Sequence, residues 1–138
     1  MSFVRRVVID TGVLISAAIC PDSVPALAFE KALLQFDICT SSETLAELET
    51  VLLRPKFDRY LPAELRREFL VGYCKSSTIM MVDLAVNDCI DPKDNKFLEL
   101  AEAANAEIII ASDPHLTNLH PWREIPILPP AAFLIGVH

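Results

Sequence analysis

The feature that most restricts the fold is the run Ile108, Ile109, Ile110, Ala111, which has no polar position. A strand with one wet face alternates apolar and polar residues. An unbroken run implies burial on both faces, as in the interior of a parallel sheet. Residues 3–9 read as a first strand whose apolar part, Val7 to Ile9, stops at Asp10. Residues 36–40 read as a second strand, Ile79 to Val82 as a third, and Ile125 to Leu128 as an edge strand.

Helical segments separate these runs. Ser23 is a fitting N-cap for a helix opening near Pro25 and passing Ala28, Ala32 and Leu33. Thr40 with Glu43 has capping-box spacing for the next helix, although Ser41 or Ser42 also serves. Leu45, Leu48 and Leu52 recur along that helix as an apolar stripe until Pro55 ends it. A further helix starts at Pro62 and passes Leu65 and Phe69. Asp91-Pro92 pairs a cap with a proline at the first helical position, and the pattern continues to about Asn105. A short helix follows Pro114 and another closes the chain. Strands alternating with helices predict an α/β fold, a central mostly parallel β-sheet flanked by helices.

With 138 residues, 52% of them hydrophobic, the chain is expected to form one domain over 1–138. Three glycines and ten scattered prolines argue against disorder and against a glycine-rich all-β design. No stretch approaches the roughly 20 apolar residues of a membrane span. The apolar run at the N-terminus is too short for a signal peptide, so no membrane association and a cytoplasmic location are expected. Cys20, Cys39, Cys74 and Cys89 lie far apart without a C-x-x-C pair and read as buried or half-buried free thiols.

In open α/β sheets, ligands gather beyond the carboxyl ends of the strands at a topological switch point. Asp10 ends the first strand, and Asp113 follows the strand at 108–111 with Ser112 between. Asp94 lies in the first turn of the helix opening at Asp91, and Glu47 one turn into the helix after the second strand. Asp10 apart, each has an ordinary explanation alone: a helix-terminal charge for Asp94, a solvated face for Glu47, a turn for Asp113, a cap for Asp91. Together, four carboxylates repel one another unless cations compensate, and hard divalent ions, Mg²⁺ or Mn²⁺, suit oxygen ligands. Two such ions about 4 Å apart can drive in-line phosphoryl displacement without a serine, cysteine or histidine nucleophile. Glu43, one turn from Glu47, could take its place. His115 lies near this rim and reads as a surface residue.

The segments VVIDTGVLISA at 7–17, SSETLAELETVLLRPKF at 41–57, DPKDNKFLELAEAANAEIIIASD at 91–113 and the PHLTNL after it resemble the PIN-domain family. The likeness is strongest to VapC-like ribonucleases, the toxins of toxin–antitoxin pairs. It implies a PIN-like domain with Asp10, Glu47, Asp94 and Asp113 as the metal-binding and catalytic quartet, supported by the hydroxyls of Thr11 and Ser112. It also implies one or two Mg²⁺ or Mn²⁺ ions, endonucleolytic hydrolysis of RNA, a small antitoxin partner and self-association as a homodimer. One departure is Gly12, where the family commonly has asparagine after Asp-Thr. Asparagine would offer hydrogen bonds that glycine cannot.

Three rival readings follow from the same residues. Asp-Thr-Gly also marks aspartic proteases, whose paired carboxylates share a proton, but those folds are all-β. A haloacid-dehalogenase-type phosphatase needs a second aspartate where Gly12 stands. A PIN-fold module that binds RNA or protein without cutting is the third, favoured by Gly12 and by a net charge of −7, which repels phosphate on average. Arg54, Lys56 and Arg59, Arg66 and Arg67, and Lys93 and Lys96 offset that charge only where they ring one cleft.

Overall fold

A computed structural model describes residues 4–136. Strand β1 (Arg6–Ile9) leads into helix α1 (Thr11–Ile19) and then α2 (Val24–Gln35). Next come β2 (Asp37–Thr40), α3 (Ser42–Leu52), a 3₁₀ turn at Pro55–Phe57, α4 (Ala63–Ser76) and β3 (Ser77–Ile79). A second 3₁₀ turn at Pro92–Asp94 runs into α5 (Asn95–Ala104), followed by β4 (Ile108–Ile110), α6 (Pro114–Thr117), β5 (Ile127–Leu128) and α7 (Pro130–Gly136). The five strands form one sheet in the order β3-β2-β1-β4-β5. Every strand pair is parallel, with Val8 opposite both Cys39 and Ile109.

Alternation along the strands builds a core on each face of the sheet. Val8, Cys39 and Ile109 face a layer made chiefly by α5, through Phe97, Leu98 and Ala101. Val7, Ile9, Ile38, Ile108 and Ile110 face the opposite layer of α1, α2, α3, α4 and α7, including Leu14, Ala32, Leu48, Tyr73 and Phe133. No single helix among the described residues is long and apolar enough to cross a membrane. This all-parallel, two-faced architecture rules out the all-β frame of an aspartic protease, and Gly12 of the Asp-Thr-Gly motif lies within a helix.

Several boundaries differ from those the sequence suggests. Helix α1 has no counterpart in the sequence reading, because its sequence TGVLISAAI shows no polar face. The third strand is Ser77–Ile79 rather than Ile79 to Val82. In that run Ile79 and Met81 are exposed, while Met80 and Val82 rest on the α5-side core, and Met80 N–H donates to the Thr40 carbonyl at 2.8 Å as a last bond beyond the strand. The N-cap of α3 is Ser41, paired reciprocally with Thr44, while Glu43 is exposed. Phe36 caps the end of α2 rather than joining β2, and β5 is confined to Ile127–Leu128. Val4 and Arg5 precede β1, and residue 3 of the expected first strand lies outside the described residues.

Arg66, which the sequence presents only as a charge, is fully buried in α4. Its guanidinium donates to the carbonyls of Leu61, Leu52 and Arg54 at 2.9, 2.7 and 3.2 Å and pairs with Asp58. These bonds fix the corner where α3 ends beside the cleft described next. Among the described residues the four cysteines are free; Cys39 and Cys89 are buried, and Cys20 is exposed rather than half-buried.

Candidate metal centre

The chain runs outward from β1 through β2 to β3, then crosses to β4 on the other side of β1. The carboxyl ends of β1 and β4 therefore form the switch point, where a crevice opens in such sheets. Asp10 begins there. Its backbone N–H donates to Ile110 at 2.9 Å, extending the ladder by one bond. Its side chain is the N-cap of α1: Oδ1 accepts from Val13 N–H at 2.9 Å. Oδ2 accepts from the N–H groups of Ser112 at 3.0 Å and Asp113 at 3.4 Å. One buried carboxylate thus ties the ends of two strands and a helix together.

A cleft of about 540 Å³ at this point is lined by Asp10, Thr11, Gly12, Glu47, Arg54, Asp91, Lys93, Asp94, Ser112 and Asp113, among others. All four carboxylates singled out by sequence reach it, from β1, α3, the turn before α5 and the loop after β4. Glu43 does not. Thr11 donates its hydroxyl to Glu47 Oε2 at 2.5 Å, and Lys96 Nζ lies 3.0 Å from Glu47 Oε1. Both Glu47 oxygens are thereby oriented, from α1 and α5 at once. Lys96 sits two residues past Asp94, and its role was readable only as a stray charge. Of the basic groups weighed by sequence, Arg54 and Lys93 line the cleft.

Asp94 is buried, 8% exposed as a residue, and its Oδ2 has no hydrogen-bond partner among the described residues. Burying a polar atom without a partner costs free energy, so such an atom points to a partner supplied from outside the chain. Burial, and then the neighbouring Asp113, Asp91 and Glu47 carboxylates, push the Asp94 pKa up to about 7. Burial likewise lifts Asp10 to about 6, against the opposing pull of the Val13, Ser112 and Asp113 N–H donors. Both shifts express a crowded, dehydrated negative site, which a divalent cation would relieve. Oxygen-only donors with an orphaned buried carboxylate oxygen fit Mg²⁺ or Mn²⁺.

Asparagine at 95 completes the D-x-x-D-N motif in a structural way. Its buried Oδ1 accepts from Cys89 N–H at 2.9 Å, and Glu99 Oε2 accepts from Val86 N–H at 2.9 Å. The long segment before Asp91 is thus pinned to α5. Gly12 occupies the second position of α1 with no left-handed backbone to require it. A Cβ there would lie 2.9 Å from Ser112 Oγ, so the serine hydroxyl takes up space that a side chain at 12 needs. His115, read as a surface residue, is 46% exposed at its side chain but stands over the cleft. Its Nδ1 lies 3.8–4.0 Å from carboxylate oxygens of Asp91, Asp94 and Asp113.

The PIN-domain family model matches residues 6–115. An uncharacterized protein of Methanocaldococcus jannaschii is 37% identical over 119 residues, 83% of this chain and 74% of that one. Among solved structures, VapBC2 from Rickettsia felis, bound to a DNA fragment from its promoter, aligns with a TM-score of 0.59 at 14% identity. That alignment covers 88% of this chain and 96% of that one. VapC20 of Mycobacterium tuberculosis, a sarcin-ricin loop cleaving toxin, aligns with a TM-score of 0.54 at 12% identity, over 87% and 98% of the two chains. At these identities the structural likeness speaks for the fold.

Proposed function

The chain belongs to the PIN-domain family, and on that premise we propose that it is a Mg²⁺- or Mn²⁺-dependent endoribonuclease, the toxin of a toxin–antitoxin pair. Residues 1–138 act as one nuclease domain. Asp10, Glu47, Asp94 and Asp113 hold one or two ions and are the catalytic set. The observation that carries this reading is the buried, unpartnered Asp94 Oδ2 in a cleft with three further carboxylates.

When bound, the ion supplies Lewis acidity for in-line attack of water on phosphorus. The chain's own groups prepare the site. Asp10 is held by three backbone N–H donors, and Thr11 aims Glu47. Ser112 contributes its N–H to that arrangement, and its hydroxyl lies close to the Cβ position at Gly12. Lys96 pairs with Glu47 and offsets part of the site's negative charge before an ion arrives. Arg54 and Lys93 supply positive charge at the cleft, which partly answers the net charge of −7 for a phosphate-bearing substrate. An antitoxin segment and a second copy of the chain are the protein partners in this reading, and the site of action is the cytoplasm.

Incubating a mixed single-stranded RNA pool with the protein in Mg²⁺, Mn²⁺ or chelator tests the activity. Cleavage confined to the metal-containing reactions is the expected result. Intact RNA in all three would favour a PIN-fold module that binds RNA or protein without cutting it.

A further inference from the structure

We propose that Asp91, Asp94 and His115 form a distinct divalent-ion site on the outer lip of the cleft, one that includes a nitrogen ligand and shares Asp94 with the quartet. It rests on the metal-centre reading only for that shared carboxylate. Asp91 and His115 stand outside the quartet, and their ordinary roles account for only part of each side chain. Asp91 uses Oδ1 to cap the turn before α5, accepting from Lys93 N–H at 3.1 Å. Its Oδ2 instead faces the His115 ring, 4.0 Å from Nδ1. Asp94 presents its orphaned Oδ2 to the same nitrogen, also at 4.0 Å. No hydrogen bond engages the imidazole among the described residues, while its backbone is fixed: His115 N–H donates to Asp113 Oδ1 at 2.9 Å. The His115 carbonyl accepts from Cys89 Sγ at 3.3 Å.

One ligand atom from each of the three residues lies within 4.8 Å of the others. An ion about 2.0–2.2 Å from each of its tetrahedral ligand atoms sets those atoms about 3.4 Å apart, so the 4.0 Å gaps from Nδ1 to Asp91 and Asp94 have to close by about half an ångström. A half-exposed imidazole can turn to meet it without disturbing the core. The donor set sets the preference. Carboxylates alone suit Mg²⁺ and Mn²⁺, whereas an imidazole suits Zn²⁺ and related transition ions. The lip would therefore take Zn²⁺ in preference to Mg²⁺, beside an oxygen-only site that does the reverse.

The test is nitrogen-15 NMR of the histidine side chains during separate titrations with Zn²⁺ and Mg²⁺, the His115 signal being assigned by its loss in His115→Ala. Zn²⁺ should produce a coordination shift at His115 Nδ1 that Mg²⁺ does not, and the shift should persist in Glu47→Gln. His115→Ala should weaken Zn²⁺ binding by about tenfold or more, the scale of losing a group that merely orients a ligand, and leave Mg²⁺ binding unchanged. Asp91→Asn, which keeps a capping oxygen, should weaken Zn²⁺ binding in the same direction. A His115 signal that responds alike to both ions, or Zn²⁺ affinity unchanged in His115→Ala, overturns the proposal. Mg²⁺ binding that survives in Glu47→Gln would instead count against the quartet, leaving the lip site standing.

Discussion

Asp10 Oδ2 accepts a hydrogen bond from Ser112 N–H at 3.0 Å across 102 residues of chain, joining the end of β1 to the loop that follows β4. The same carboxylate caps α1 through Val13. A residue proposed as an ion ligand is thus also the clasp of the switch point. Truncating it should loosen the crevice locally. In Asp10→Ala, amide hydrogen exchange at Val13, Ser112 and Asp113 should accelerate by about tenfold, the equivalent of one net hydrogen bond of about 1.4 kcal/mol. The amides of Ile38 and Cys39 in β2 should be unaffected. Equal acceleration at both places would mean that Asp10 acts on global stability alone.

Gly12 and Ser112 form a matched pair, since a Cβ at 12 would meet Ser112 Oγ at 2.9 Å. A helix ordinarily gains from alanine in place of glycine. That gain should be masked while Ser112 is present and emerge in the Ser112→Ala background. Denaturation of the four members of the double-mutant cycle should give a coupling of about 0.5 kcal/mol or more in that direction. Identical effects of Gly12→Ala in both backgrounds would show that the serine yields freely. The same pairing implies that restoring asparagine at 12 works best together with Ser112→Ala.

Much of this centre was legible in the chain, and the reasons are local. Asp10 and Asp113 stand just beyond buried apolar runs, and Asp94 follows an Asp-Pro helix start, so strand ends and caps betray them directly. Glu47 was set apart from Glu43, one turn away on the same helix, only by the resemblance to the PIN-domain family. Helix α1 left no trace because it is apolar nearly all round, which removes the periodicity that marks a surface helix. β3 was displaced because its own residues, Ser77 to Ile79, are an exposed edge with little apolar signal, while the adjacent Met80 and Val82 carry that signal from a loop. The placements of Lys96 against Glu47, and of His115 over three carboxylates, depend on how separate helices meet. No spacing in the sequence encodes them.

The raised carboxyl pKa values give the metal-free protein a defined pH response. Asp10 at about 6 and Asp94 at about 7 hold their protons more tightly in the folded state than in the unfolded chain, where aspartate titrates near 3.8. Between those values the folded state binds more protons. Their contribution to stability is therefore greatest below about 4 and falls as pH rises through 6 to 7. Thermal melts in chelator should show this decline in the wild-type protein and a shallower one in Asp94→Asn. Saturating Mg²⁺ should offset the loss at high pH, because the ion binds the ionised carboxylates. Parallel profiles for the two proteins would contradict the burial argument for Asp94.

The most direct test of the central claim compares the wild-type protein with Asp94→Asn for cleavage of single-stranded RNA in Mn²⁺, alongside Mn²⁺ affinity measured by calorimetry and folding checked by circular dichroism. The account predicts a folded variant whose metal-dependent cleavage and Mn²⁺ affinity each fall by about 100-fold or more, at least the upper end of what losing a group that only orients a ligand costs. Undiminished cleavage by a folded Asp94→Asn protein would contradict it.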